Sequence, residues 1–343
     1  MNSTLLKFSG VALSGSRLAE MDVLRGLAAL AVVIFHYSGH CQRYFSNFPF
    51  PFEYGKYGVH FFFVISGFFI YLTAEKCGNA QEFLLLRFSR LYPAYWATLI
   101  ALLSFDLAQP GSKVWLNGYL VNATMLQSFV GFPDIDIVFW SLAVEMTFYI
   151  LMTTLFATGA IRHPLLVTLV WLGLGLLWPS VQDSPVGQIK LIQSLAGVLT
   201  YGPFFIGGMM YYRLHQCNFQ HPGRYLGMIF LCAVTAWVTG GTTVGMVSVL
   251  AFSLVGLALR GYLRCLISPV TLWLGAISYS LYLVHRNLGY TALFKLDAMG
   301  MDSRVAFVVV ICGALALASV LTYWIEQPSL RWLRGRVRSL YPK

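Results

Sequence analysis

An all-α integral membrane protein, with about ten transmembrane helices and both termini cytoplasmic, is the fold class this sequence predicts. Three observations carry that expectation. The chain is 58% hydrophobic and only 10% charged, whereas a soluble domain spends about a quarter of its residues on charge. Apolar runs of about 20 residues, the length that crosses a bilayer core, recur along the whole chain. Finally, Lys and Arg divide unequally between alternate connections, as membrane orientation requires.

The expected spans lie at about 21–40, 57–75, 84–106, 137–159, 164–180, 188–212, 225–240, 243–260, 266–287 and 304–327. The seventh and eighth are separated only by Gly240-Gly241. Residues 1–20 form a cytoplasmic N-terminal arm with Lys7 and Arg17, residues 21–328 the transmembrane domain, and residues 329–343 a basic cytoplasmic tail. The first apolar run is not followed by a small-residue cleavage site, so it is expected to be retained as a span. With ten spans, fifteen Lys and Arg residues fall on the side of the termini and seven on the other, with Arg25 inside its helix. That asymmetry places the termini in the cytoplasm, and the expected location is the inner (cytoplasmic) membrane, as a multi-pass chain. Residues 107–136 form the longest external connection. Its portion Trp115 to Phe132 is too apolar for a plain loop and is expected to be interfacial or re-entrant.

The net charge of +10 does not indicate nucleic acid, because the charges sit at span ends. The basic tail is expected to face anionic membrane lipid, with no catalytic role required. Six scattered cysteines, without a CxxC pair, read as packing residues. His36 and His40 are four apart, but a third ligand at fitting spacing is missing, so no metal is expected. GxSxG, a nucleotide-binding loop and HExxH are all absent from the sequence.

Polar residues inside apolar helices are costly and therefore informative. The first span carries Arg25 near one end and His36 near the other. Eleven residues at about 100° each return to one helix face, about 16 Å apart along the axis. Arg87 and Arg90, three apart at the start of the third span, sit at the same cytoplasmic level as Arg25 and could hold a phosphorylated ligand. Pro93 is placed in the first turns of that helix. Glu145, in Trp140-Ser-Leu-Ala-Val-Glu145, is the one acid well inside a span, with Ser141 a turn away. It is expected in the outer half at the depth of His36, where His285 from the ninth span also arrives. A buried acid beside an imidazole makes a general-base pair. Ser66, flanked by Gly58 and Gly67 in the second span, and Tyr282 are further candidates for active-site support.

Five elements stand in order: Arg25 with His36, Phe61-Phe-Phe-Val-Ile-Ser-Gly-Phe68, Arg87-x-x-Arg-Leu-Tyr-Pro93, Trp140-Ser-Leu-x-x-Glu145 and Ser278-Tyr-Ser-Leu-Tyr-Leu-x-His285. Together with Glu326-Gln-Pro328 they resemble the acyltransferase family 3 membrane proteins, which include O-antigen and exopolysaccharide O-acetyltransferases and Nod-factor acetylases. The resemblance covers about residues 18–330. It implies ten helices, acetyl-CoA or another acyl-CoA as co-substrate and not as a permanent cofactor, and a carbohydrate acceptor, free or lipid-linked. It also implies that Arg25, Arg87 and Arg90 bind the donor, that His36 is the essential histidine and that Glu145 is the motif carboxylate. The SGNH hydrolase-like domain of some members has no counterpart here, so acceptor selection is expected within the membrane domain. Direct attack with His36 as base and an acyl-histidine route both remain open at this point. A transporter or flippase of a lipid-linked sugar is the competing reading.

Overall fold

The computed structural model describes residues 19–44, 51–109, 114–220 and 222–341. Residues 1–18 of the expected N-terminal arm, with Lys7 and Arg17, and also Lys113 and Lys343, lie outside the described residues, whereas Ala19 and Glu20 belong to the first helix. Within them the fold is all helical, without strands. The helices are α1 (Ala19–Tyr44), α2 (Gly58–Lys76), α3 (Ala80–Ala108), α4 (Leu116–Asn122), α5 (Trp140–Ala157), α6 (Pro164–Val181), α7 (Lys190–Gln216), α8 (Pro222–Arg260), α9 (Pro269–Ala298), α10 (Ser303–Leu321) and α11 (Gln327–Leu340).

Long helical segments occupy each of the ten expected positions. The seventh and eighth join in α8, which breaks at Gly241, where φ is 76°. A left-handed backbone there suits glycine and turns one apolar stretch into two arms. Among the described residues, six helical segments are long and apolar enough to cross a membrane, those in Glu53–Lys76, Ala80–Ala108, Ile137–Ala157, Pro164–Val181, Pro222–Arg260 and Ser303–Leu340. The chain is thus a multi-pass membrane protein. Outside that set stand α1, the short α4, α7 and α9; α1 and α9 carry the two imidazoles of the site.

Two helix pairs dominate the core, α1 with α9 and α2 with α7. Small residues let them approach. A Cβ on Gly26 would meet the Gly275 backbone, and one on Gly275 the Asp22 carbonyl. Gly67 lies against the Phe205 carbonyl and Gly58 against that of Ala28.

The connection after α3 folds back into the bundle. Tyr92, Tyr95 and Trp96 of α3 donate to the carbonyls of Thr124, Asn122 and Ala123. Tyr92 lies midway along α3, so this segment is re-entrant, and α3 satisfies its irregular backbone as burial demands. Asn122 bonds the Pro133 carbonyl and the Ile135 N–H, and Trp115 stacks on Phe132 with ring centroids 5.3 Å apart. Pro93 lies in the middle of α3, not in its first turns, because α3 starts at Ala80 under an Asn79 cap. The missing Pro93 N–H frees the Ser89 carbonyl. Cys41 and Cys232 are buried, but Cys265 and Cys312 are exposed and do not pack the core.

Candidate active site

The site is built along the seam between α1 and α9. His285 is fully buried and His36 half-buried. Their rings meet, with His36 Nδ1 3.1 Å from His285 Nε2. His36 Nδ1 also lies 3.0 Å from the Val32 carbonyl, and His285 Nδ1 lies 2.8 Å from the Tyr282 carbonyl. A carbonyl only accepts, so each Nδ1 must carry its proton. His285 Nε2 is then a lone-pair acceptor, and His36 Nδ1–H is shared between it and Val32. This leaves the second nitrogen of His36, Nε2, as the basic atom. The pair is braced in both directions: Tyr37 Oη donates to the His285 carbonyl at 2.6 Å, and Tyr290 Oη to the His36 carbonyl at 3.2 Å.

One turn along α9 toward its N-terminus, Tyr282 Oη donates to the Val138 carbonyl at 3.0 Å and lies 2.7 Å from Ser141 Oγ. Two turns along, Arg25 Nε donates to Ser278 Oγ and Nη2 to the Gly275 carbonyl, both at 2.9 Å, with Asp22 at 3.0 Å. His36 faces residue 285 and Arg25 faces residue 278, so α1 and α9 run parallel and share these levels.

Around Arg25 lies a charged cluster. Arg87 Nη2 donates to the Phe69 carbonyl at 2.9 Å and to Thr73 Oγ1, and its guanidinium lies 5.7 Å from the Tyr149 ring. Arg90 is paired with Glu326, which also accepts from Ser280 Oγ at 2.8 Å, and lies over the Tyr279 ring. Glu145 accepts from Ser66 Oγ at 2.9 Å and from Tyr149 Oη at 2.7 Å. Electrostatically Arg25 feels Asp22, Arg90, Glu326 and Glu145.

The expected pairing of Glu145 with His36 is therefore corrected. The acid's hydrogen bonds go to Ser66 and Tyr149, and its charge belongs with the arginines. The ring partner of His36 is His285. The physical reason is the re-entrant segment: α5 begins beside Tyr282, already inside the bundle, so Glu145 lies one turn below Ser141. Ser66 follows the acid away from the imidazoles, whereas Ser141 and Tyr282 stay next to them.

Sequence reasoning missed Arg334. Allotted to the lipid-facing tail, it sits half-buried on α11, within electrostatic reach of Arg90 and Arg87. A five-residue π turn at Thr322–Glu326 joins α10 to α11 and sets that facing. The basic spacing on an amphipathic helix was the available signal. Tyr149, four residues after Glu145, was equally legible as a neighbour in helical spacing.

At the opposite end from the arginines, Asp136 pairs with Arg286 at 3.3 Å and accepts from the Asn287 N–H at 3.1 Å. Burial pushes its carboxyl up, against the pull of the Val138 N–H, Arg286 and the Asn287 N–H.

A tautomer-fixed imidazole above a layer of guanidiniums, inside a helical bundle, is an arrangement that can serve group transfer. Residues 18–323 match the acyltransferase domain of acyltransferase family 3, and the chain belongs to that family of enzymes. It is 25% identical to the acyltransferase MdmB of Streptomyces mycarofaciens over 93% of each chain. Nodulation protein 10 of Rhizobium leguminosarum bv. viciae is 24% identical over 80% of this chain and 82% of its own. The exopolysaccharide production protein ExoZ of Rhizobium meliloti is 25% identical over 84% of this chain and 92% of its own. No solved structure matches.

Proposed function

We propose that this O-acyltransferase moves an acetyl group from acetyl-CoA to a hydroxyl of a cell-surface polysaccharide, an exopolysaccharide or the O-antigen of lipopolysaccharide, free or lipid-linked. It would do so as a ten-span protein of the inner membrane with both termini cytoplasmic. The observation that carries this reading is the α1–α9 seam: one helix holds a guanidinium in the charged layer and, about 16 Å further along, the base. That offset suits a donor whose phosphates and thioester lie at opposite ends of an extended arm.

In this reading Arg25, Arg87, Arg90 and Arg334 hold the phosphates of the donor from the cytoplasmic side. Arg25 and Arg90 have acidic partners in Asp22 and Glu326, so Arg334 adds positive charge where an anion is needed most. The acceptor oxygen attacks the thioester carbonyl while its proton passes to His36 Nε2. The C–S bond then breaks, the thiolate takes the proton from His36, and the products are an ester and free coenzyme A. The Nδ1–H of His36, held by Val32 and His285, steadies the imidazolium in between. Ser141 and Tyr282 are the hydroxyls near that layer, and one of them would serve the oxyanion by releasing the Val138 carbonyl. Glu145 acts through Ser66 and Tyr149, balancing the charge of the arginine layer.

The purified protein, given acetyl-CoA and a cell-envelope polysaccharide fraction, is expected to release free thiol and to leave ester on the glycan. Transport of unmodified glycan into sealed vesicles, with acetyl-CoA intact, would establish the transporter reading instead.

A further inference from the structure

Between the far ends of α3 and α9 and the short α4 lies a half-open cavity of about 190 Å³. Asp106 stands about 28 Å beyond Arg87 on the same helix, so the cavity opens at the end of the bundle opposite the arginines. Its walls are of two kinds. Phe105, Tyr290 and Phe294 give aromatic surface, while Asp106, Tyr119 and Asn287 give polar atoms.

We propose that this cavity binds one pyranose unit of the acceptor glycan and presents it to His36, an inference that rests on the acyltransferase reading above. A pyranose has an apolar C–H face that packs on an aromatic ring and a rim of hydroxyls that seek acceptors. The cavity offers both. Asp106 accepts from Tyr119 Oη at 2.5 Å, and a carboxylate has about four acceptor sites, enough to take sugar hydroxyls as well. Asn287 is fixed in place by Ile135, Arg286 and Asp136. A fixed amide holds a hydroxyl in one orientation and so selects among sugars.

The cavity shares a wall with the base. Tyr290 lines it, donates to the His36 carbonyl and stacks on His40 with ring centroids 4.2 Å apart. Phe294 meets the same His40 edge-on at 4.7 Å. A sugar seated here lies next to the face of α1 that carries His36, on the side away from the donor phosphates. The two substrates would approach the imidazole from opposite ends of the bundle.

The test uses the full-length protein with Asp106→Asn and, separately, Phe294→Ala, assayed with acetyl-CoA and the envelope polysaccharide. Asp106→Asn keeps an oxygen for Tyr119, and Phe294 is largely exposed, 47%, so both variants are expected to fold. Each should raise the KM for polysaccharide about tenfold, the scale of one lost polar or packing contact, with the KM for acetyl-CoA moving less than about twofold. Free galactose or glucose should compete with polysaccharide against the wild type. Unchanged polysaccharide KM in both variants, or no competition by either free sugar, overturns the proposal. If the wild type itself consumes no acetyl-CoA, the acyltransferase reading has failed and the site's role falls with it, an outcome visible before any variant is made.

Discussion

The two polar levels of the α1–α9 seam solve the problem of polarity inside an apolar bundle in opposite ways. At the level of Arg25, permanent charges are compensated by acids, carbonyls and rings: Arg25 with Asp22 and Ser278, Arg90 with Glu326, Arg87 with Thr73 and Tyr149. At the level of His36, no charged group among the described residues is in direct hydrogen-bond contact with either imidazole. Its ring and that of His285 are held by Val32, Tyr282 and each other. A layer of fixed cations suits a phosphorylated ligand that arrives and leaves intact. A neutral, orientation-locked imidazole suits a proton that must be taken and returned. Placing Glu145 with the cations, not with the base, keeps these two tasks apart.

That contrast can be broken at either level. Replacing His36 with Ala should lower polysaccharide-dependent thiol release by about 10²–10⁴-fold, the usual worth of a general base, while acetyl-CoA binding persists. Loss of binding together with turnover would merge the two levels. On the charged side, Glu326→Ala strands Arg90 without its anion; removing one partner of a buried pair costs about 3–5 kcal/mol, so detergent-solubilised protein should unfold at distinctly lower temperature. An unchanged melting temperature would mean that Arg90 finds compensation elsewhere. His285→Ala should reduce kcat by roughly 10–100-fold, as loss of an orienting partner does at other imidazoles, with both KM values nearly constant. His285→Gln should recover part of it, since an amide oxygen can accept from His36. The smallest effect belongs to Arg334→Ala, which should raise the KM for acetyl-CoA by about tenfold at low salt, the worth of one charge-assisted contact, and by less at high salt.

Much of this arrangement was legible in the residues. The eleven-residue interval between Arg25 and His36 places both on one face, and both do meet α9. Helix positions followed from apolar runs, and even the Gly240-Gly241 break was visible. What could not be read was depth. Hydropathy places a helix end at the membrane surface, but α5 starts inside the bundle because the chain before it is tethered to Tyr92, Tyr95 and Tyr282. Glu145 was thereby placed level with the imidazoles when it lies with the arginines. Arg334 was hidden by a second effect. A π turn carries an extra residue per turn and rotates everything after it, so the face presented by α11 does not follow from the period of α10.

The crossing of α1 and α9 at Gly26 and Gly275 has a mechanical side. Two long rods touch at a pivot where neither has a side chain, and the imidazole contact lies ten residues further along, about 15 Å from that fulcrum. Any wedge at the pivot, even a methyl group, acts through this lever arm on a His36–His285 separation of 3.1 Å, which has only a few tenths of an ångström of slack before the hydrogen bond is lost. The alignment of the base is thus gauged by two missing atoms at the other end of the seam.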